Sequence, residues 1–278
     1  MKNIFIKLSA MALSVVNFVS VCGQTLPKEI NNQEITNINR EDMHAYFIPY
    51  SNEGDANDFT EKSDYYVSLN GNAKFFFAEN YGMCPENFYV KDFDDSGWKN
   101  IPIPGDWQMN GYGFPVYTNV QYDFPNANPP NVPYENNWVG CYRIPFSVPN
   151  NWDDMEIILS IDGMRSAGYV WINGQQVGYA TDSKLASEFN ITPWVKKGGE
   201  NSLVLQVFRW SSASYLEDQD FFRFNGIERD IHIYARPKVY LKDFWLKPEL
   251  DAELKNGKLN CSFSIANNEE IDQNYTII

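Results

Sequence analysis

The sequence predicts an all-β chain, and three observations carry that prediction. From Tyr65 onward, short β-branched and aromatic runs alternate with clusters of Gly, Pro, Asn and Asp, the pattern of strands punctuated by turns. No window keeps an amphipathic helical period for three turns. Asn173-Gly174 lies between Val170-Trp171-Ile172 and Gln176-Val177-Gly178-Tyr179, and Asn-Gly accepts the positive φ angles that a two-residue hairpin demands. With 278 residues, 44% of them hydrophobic and 16% aromatic, the chain can bury a sizeable core and is too long for one small domain. One large domain and part of a second are expected.

Taken in order, Lys2 and Lys7 precede an apolar run from Leu8 to Val19, followed by small residues and a cleavage position after Gly23. Residues 1–23 therefore read as a secretory signal peptide, and the protein as exported, periplasmic or extracellular. The run contains Ser14 and Asn17 and is shorter than the ~20 apolar residues of a spanning helix, so no transmembrane segment is expected. Val21 before Cys22 fits a lipid-attachment signal poorly, which makes a lipid anchor the weaker alternative. Residues 24–62 are polar and Asn-rich and read as an arm lying over a domain surface rather than an element of one.

Strands are expected at Glu156 to Ile161, Gly168 to Ile172, Gln176 to Tyr179, Ser202 to Phe208 and Asp230 to Ala235. The segment Ile101 to Pro133 holds seven prolines, which remove ladder donors and exclude regular central strands, so it is expected to be a long functional loop. Arg236-Pro237 marks a boundary, closing a domain over residues 63–236. Beyond it, Val239 to Leu246 and Leu259 to Ile265 flank Asn256-Gly257, enough for half of an immunoglobulin-like sandwich, so 237–278 is expected to be incomplete.

The net charge is −14, and loss of Lys2 and Lys7 with the signal takes it to −16. Such a surface repels phosphate backbones, so nucleic acid is not an expected partner. With Cys22 removed in the signal, Cys84, Cys141 and Cys261 remain, odd in number and without C-x-x-C spacing, indicating neither a disulfide framework nor a zinc site. Cys141, in an apolar run, reads as a buried small hydrophobe. His44 and His232 stand apart in sequence, which supports neither a metal nor a catalytic histidine. Asp92, Asp94 and Asp95 lack the spacing of a calcium loop and read as a capped turn.

Pro102-Ile-Pro-Gly-Asp-Trp107-Gln-Met, Pro115-Val-Tyr-Thr-Asn119-Val, Asn128-Pro-Pro-Asn-Val-Pro133 and Gly140-Cys-Tyr-Arg are followed by Asp162-Gly-Met-Arg-Ser-Ala, Asp182-Ser-Lys and Glu188-Phe-Asn-Ile-Thr. Ser214-Tyr-Leu-Glu-Asp-Gln-Asp220 and Asn225-Gly-Ile complete the series. In this order and spacing, over roughly residues 33 to 246, the sequence resembles the family 2 glycoside hydrolases, and among them the β-galactosidases.

The resemblance implies a galactose-binding-like jelly-roll β-sandwich, then a truncated immunoglobulin-like β-sandwich, with the catalytic glutamates on a TIM-type barrel. Such a barrel needs about 250 residues, against the 42 that follow Arg236. No catalytic residue is therefore expected in this segment, which alone is expected to be inactive, while the intact protein is expected to hydrolyse terminal β-D-galactosyl residues with retention. The resemblance further implies that Asn119 and Asp220 contact galactosyl hydroxyls, that Asp220 ligands a sodium ion, that magnesium is bound by residues outside the segment, and that the protein is a homo-oligomer.

Simpler roles stand beside these. Asn119 can cap a turn, and Asp220 can be a solvated loop acid or an ion-pair partner of Arg223 or Arg229. Trp107 and Trp138, on irregular segments, are candidates for facing a ligand, whereas Trp98 and Trp171 read as core. Ser212, Ala213, Phe222 and Glu228 depart from the family pattern, which bears on fine specificity. Two rival functions remain: a stand-alone carbohydrate-binding protein, and a family 2 β-glucuronidase or β-mannosidase.

Overall fold

The computed structural model describes residues 25–57, 63–217 and 219–269. The expected signal segment, with Cys22, lies outside them, as does Asp218. The first strands are β1 (Asn37–Ile38), β2 (Tyr66–Ser68), β3 (Gly71–Ala78), β4 (Lys99–Ile103), β5 (Gly105–Asp106) and β6 (Val116–Thr118). The middle of the chain gives β7 (Val139–Ser147), β8 (Glu156–Ile161), β9 (Met164–Arg165), β10 (Ala167–Ile172), β11 (Gln175–Thr181), β12 (Ser187–Asn190) and β13 (Glu200–Phe208). Then follow β14 (Phe221–Arg223), β15 (Gly226–Ile227), β16 (Ile231–Arg236), β17 (Val239–Leu250) and β18 (Gly257–Asn267). The architecture is all-β, as the turn-punctuated pattern predicts.

A seven-stranded antiparallel sheet ordered β1-β11-β10-β13-β7-β3-β4 faces a four-stranded sheet ordered β12-β8-β16-β2. The period of two along β13 shows why. Leu203, Leu205 and Val207 enter the core between the sheets, with Ile157, Leu159, Ile161, Ile231 and Ile233 of the opposing layer. Val204 and Phe208 point the other way, into a second cluster with Tyr169, Trp171, Tyr179 and Trp210. The large sheet is thus covered on both faces, and β10 is buried along its whole length, a burial typical of strands covered on both sides.

The expected hairpin is present: Ile172 pairs with Gln175 across Asn173 at φ 51° and Gly174 at φ 84°, the signs a type I′ turn requires. The proline-rich segment is less irregular than its composition predicts, because it contains β4, β5 and β6. Pro102 sits in β4 at the edge of the large sheet, where a missing donor is tolerated. The same rule explains Pro145 in β7: β3 pairs only with Val139 to Arg143, so at Pro145 the strand has a neighbour on one side alone.

The arm is more than a surface covering, since β1 pairs with β11 and extends the large sheet. Ile30 is fully buried in the outer cluster. His44 Nε2 lies 2.9 Å from Glu188 Oε2, which also accepts a 2.8 Å bond from the Tyr234 hydroxyl. The Glu188 carboxylate raises the His44 imidazole above its ordinary pKa. Arg236 reaches both Glu41, at 2.8 Å, and Glu156, at 2.9 Å. Sequence separation hid these partners of the two histidines; His232 likewise has Asp162 at 3.8 Å.

After Arg236, β17 and β18 pair only with each other. Trp245, Leu246, Leu250, Leu259, Phe263 and Ile265 on this ribbon are exposed. No helix among the described residues is long and apolar enough to cross a membrane.

Candidate functional site

The site is built from two short strands far apart in sequence. In the β6–β14 ribbon, Val116 pairs with Arg223, Tyr117 with Phe222 and Thr118 with Phe221. The pairing ends at Thr118 and Phe221, so Asn119 and Asp220 are the next residues on the two chains, and Thr118 closes a turn over Asn119 through its hydroxyl and Gln121. Both are exposed. The Tyr117 hydroxyl donates to Asp220 Oδ1 at 2.5 Å, and the adjacent carboxylate pushes the phenol pKa up. Sequence reading missed Tyr117, because its partner Asp220 lies 103 positions away along the chain.

Large apolar side chains on and near these segments are exposed. Phe114, Tyr117, Val120, Leu216 and Phe222 are all more than half exposed. Tyr117 and Phe222 pack across the ribbon with ring centroids 5.5 Å apart, and Phe222 stacks on Phe224 at 5.6 Å.

Behind the tip, the loop is anchored by buried polar groups. Glu217 accepts from Ser183 twice, from its backbone N–H at 2.7 Å and from its hydroxyl at 2.6 Å. Burial raises the pKa of the Glu217 carboxyl and outweighs these bonds, which pull it down. Arg223 Nη1 donates to the Glu217 carbonyl at 3.2 Å, and the Arg165 and Arg223 guanidiniums each lie 4.5 Å from the Phe221 ring centre. Asp123 binds the Arg209 guanidinium at 3.1 Å and the Trp210 indole N–H at 3.0 Å. Gln108 and Asn225 exchange bonds of 2.8 and 3.0 Å, which ties the proline-rich segment to the strand after Asp220.

Two tryptophan expectations need correction. Trp107 is fully buried, its indole N–H donating to the Tyr142 hydroxyl and its ring packed near Phe75 and Phe77. Gly140 is required beneath it, since a Cβ there would meet the indole at 2.5 Å. Trp138 is 5% exposed, with the Arg209 guanidinium 3.9 Å from its ring centre and the Phe114 ring at 5.2 Å. Neither indole offers a face to a ligand, because the core claims the apolar surface that sugar stacking would use.

Asp94 caps a turn through Ser96 N–H at 3.0 Å, and Asp95 pairs with Arg143 at 2.8 Å, the capped-turn arrangement expected there. Cys84, Cys141 and Cys261 are all free thiols. No group of three or more His, Cys, Asp or Glu side chains converges as a metal cluster among the described residues. The donor set at the ribbon tip therefore fits a cation only as one carboxylate ligand, Asp220, with Oδ1 shared with Tyr117. Hard monovalent and alkaline-earth ions require several oxygens. Among the described residues of the loop no catalytic carboxylate pair is formed either, since Glu217 is turned onto Ser183 and Asp220 onto Tyr117.

Residues 66–237 match the family model described as "Glycosyl hydrolases family 2, sugar binding domain". The chain is 42% identical over 250 residues to a β-galactosidase of Priestia megaterium, covering 88% of this chain and 24% of that protein. It is 43% identical over 192 residues to a β-galactosidase of Vibrio cholerae, covering 69% of this chain and 18% of the relative. The chain thus spans about a quarter of the length of the curated relatives it matches. Among solved structures, a β-glucuronidase from an uncultured Clostridium superposes with a TM-score of 0.57 at 20% identity, over 80% of this chain and 36% of that one. A β-glycosidase from Bacteroides vulgatus gives 0.54 at 18% identity, over 74% of this chain and 25% of that one. At such identities the structural likeness speaks for the fold.

Proposed function

Because the chain belongs to glycoside hydrolase family 2, with its sugar-binding domain over residues 66–237, we propose that it forms the front of an exported β-galactosidase and supplies sugar contacts rather than the bond-breaking groups. The observation that carries this reading is the ribbon tip. The residues that follow its last pair are an amide, Asn119, and a carboxylate, Asp220, both exposed and beside exposed apolar side chains such as Tyr117, Val120 and Phe222. An amide both donates to and accepts from hydroxyls, while a carboxylate accepts from two of them. Exposed apolar side chains beside exposed polar ones suit a surface that another part of the protein covers. Identity of 42% to a β-galactosidase adds the substrate class.

In this mechanism Asn119 and Asp220 bind and orient the galactosyl hydroxyls, and Tyr117 fixes the Asp220 rotamer. The two carboxylates of a retaining hydrolysis, about 5 Å apart, come from outside this segment, which alone hydrolyses nothing. A bound sodium ion would take Asp220 as one of its oxygen ligands and would supply positive charge beside the sugar; magnesium would be held by residues elsewhere in the protein, which is expected to work as a homo-oligomer. The contacts raise kcat only in so far as they tighten in the transition state.

A glucuronidase reading draws on structural likeness at 20 to 25% identity, against 42% identity to a β-galactosidase, and the exposed Asp220 carboxylate would repel a uronate. The intact protein is expected to turn over nitrophenyl β-D-galactoside at least about 100-fold faster, in kcat/KM, than the matching glucuronide or mannoside, because a site built around a hydroxyl rejects analogues that leave its polar groups unpaired. Predominant turnover of the glucuronide would overturn the assignment, and sugar binding without turnover of any glycoside would favour a carbohydrate-binding protein.

A further inference from the structure

The loop that carries Asp220 is held at both ends by one tight turn, residues 182–185, that sits on a different part of the fold. At the near end, Ser183, 2% exposed, directs its backbone N–H and its hydroxyl at the two oxygens of Glu217. At the far end, Lys184 Nζ pairs with Glu228 and lies 5.8 Å from the Phe221 ring centre. Between these ties run Asp220, β14 and β15.

The turn is itself conformationally costly. Asp182 has φ 101°, a region that side-chain-bearing residues rarely adopt and that persists only when surroundings over-determine it. Here its Oδ1 accepts from the Lys184 N–H at 3.1 Å and the Leu185 N–H at 3.2 Å, folding the turn so that Ser183 faces Glu217. A carboxylate receiving two bonds has both position and rotation fixed, in contrast to one held by a single contact. With Glu217 fixed, Asp220 follows only three positions along the chain, and the β14–β6 pairing fixes the other side.

Resting on the sugar-contact reading above, we infer that Ser183 and Glu217 are positioning residues for Asp220: the turn at 182–185 sets the place of the galactose-facing carboxylate without touching the sugar. Misplacement of a substrate-orienting group by about 1 Å can cost about 100-fold in rate, so a tie of this kind is read in kinetics before it is read in folding.

The test uses the intact protein with Ser183→Ala, Glu217→Ala and Glu217→Gln. The glutamine side chain is nearly isosteric with glutamate and can accept from the Ser183 N–H while its amide donates to the Ser183 hydroxyl. Ser183→Ala and Glu217→Ala are expected to lower kcat/KM for nitrophenyl β-D-galactoside about 10- to 100-fold, mainly through KM, whereas Glu217→Gln is expected to retain most of the activity. Hydrogen exchange of residues 216–222 is expected to speed up in both alanine variants while β7 and β13 stay protected as in the unmodified protein. Unchanged loop exchange in the alanine variants, or a loss in Glu217→Gln as large as in Glu217→Ala, overturns the positioning role. If the unmodified protein turns over no galactoside, the functional reading falls, yet the exchange comparison still decides whether the turn holds the loop.

Discussion

Asp220→Ala in the intact protein is expected to lower kcat/KM for a β-galactoside about 100- to 1000-fold, the range measured when one preorganised polar contact to a developing transition state is removed. The geometry makes this a test of binding rather than of folding. Asp220 is exposed, and among its contacts is the Tyr117 hydroxyl, so its loss is expected to change stability by no more than about 0.5 kcal/mol. Asp220→Asn keeps an acceptor but loses the charge, and is expected to fall between alanine and the unmodified protein. Steady-state kinetics beside a thermal melt separates the outcomes: a large kinetic loss at unchanged melting temperature is the expected result, and unaltered kinetics would remove Asp220 from the site.

Trp107→Ala is expected to destabilise the domain by about 3–5 kcal/mol, the usual cost of deleting a large buried aromatic. Trp107 is fully buried beside Phe75, Phe77 and Tyr142, over the bare backbone of Gly140. Its removal leaves a cavity and deprives the Tyr142 hydroxyl of its donor, which adds the cost of an unsatisfied buried polar group. Trp107→Phe keeps most of the apolar volume and is expected to cost about half as much or less. Denaturant midpoints check both. A Trp107→Ala protein of unaltered stability but weakened sugar binding would return this residue to a ligand-facing role.

The contrast between these residues shows where the sequence is informative. The Asn173-Gly174 hairpin was legible because its determinants are local: two residues with positive φ between two apolar runs. The strands β8, β10, β13 and β16 were legible from their composition, and β16 ends at Arg236, just before Pro237. The pairing of β6 with β14 was not, because it joins residues about 100 positions apart and three-residue strands carry no periodicity. Trp107 and Trp138 could not be told from ligand-facing aromatics, since a core and a sugar platform select the same side chains. Ordered motifs single out Asn119 and Asp220 as candidates, but only the β6–β14 pairing brings their segments together, and Ser183 and Glu217 meet only through the fold. Burial of partnered polar side chains such as Glu188, Arg209 and Arg236 leaves no mark in a single sequence, because each partner is supplied by a distant element.

The most direct measurement is a crystal structure of the intact protein with galactose bound. The account predicts Asn119 Nδ2 or Oδ1 and an Asp220 carboxylate oxygen within about 3.2 Å of galactosyl hydroxyls, with Trp107 and Trp138 still buried. A sugar bound elsewhere, with the β6–β14 tip in solvent and neither side chain in contact, would contradict it.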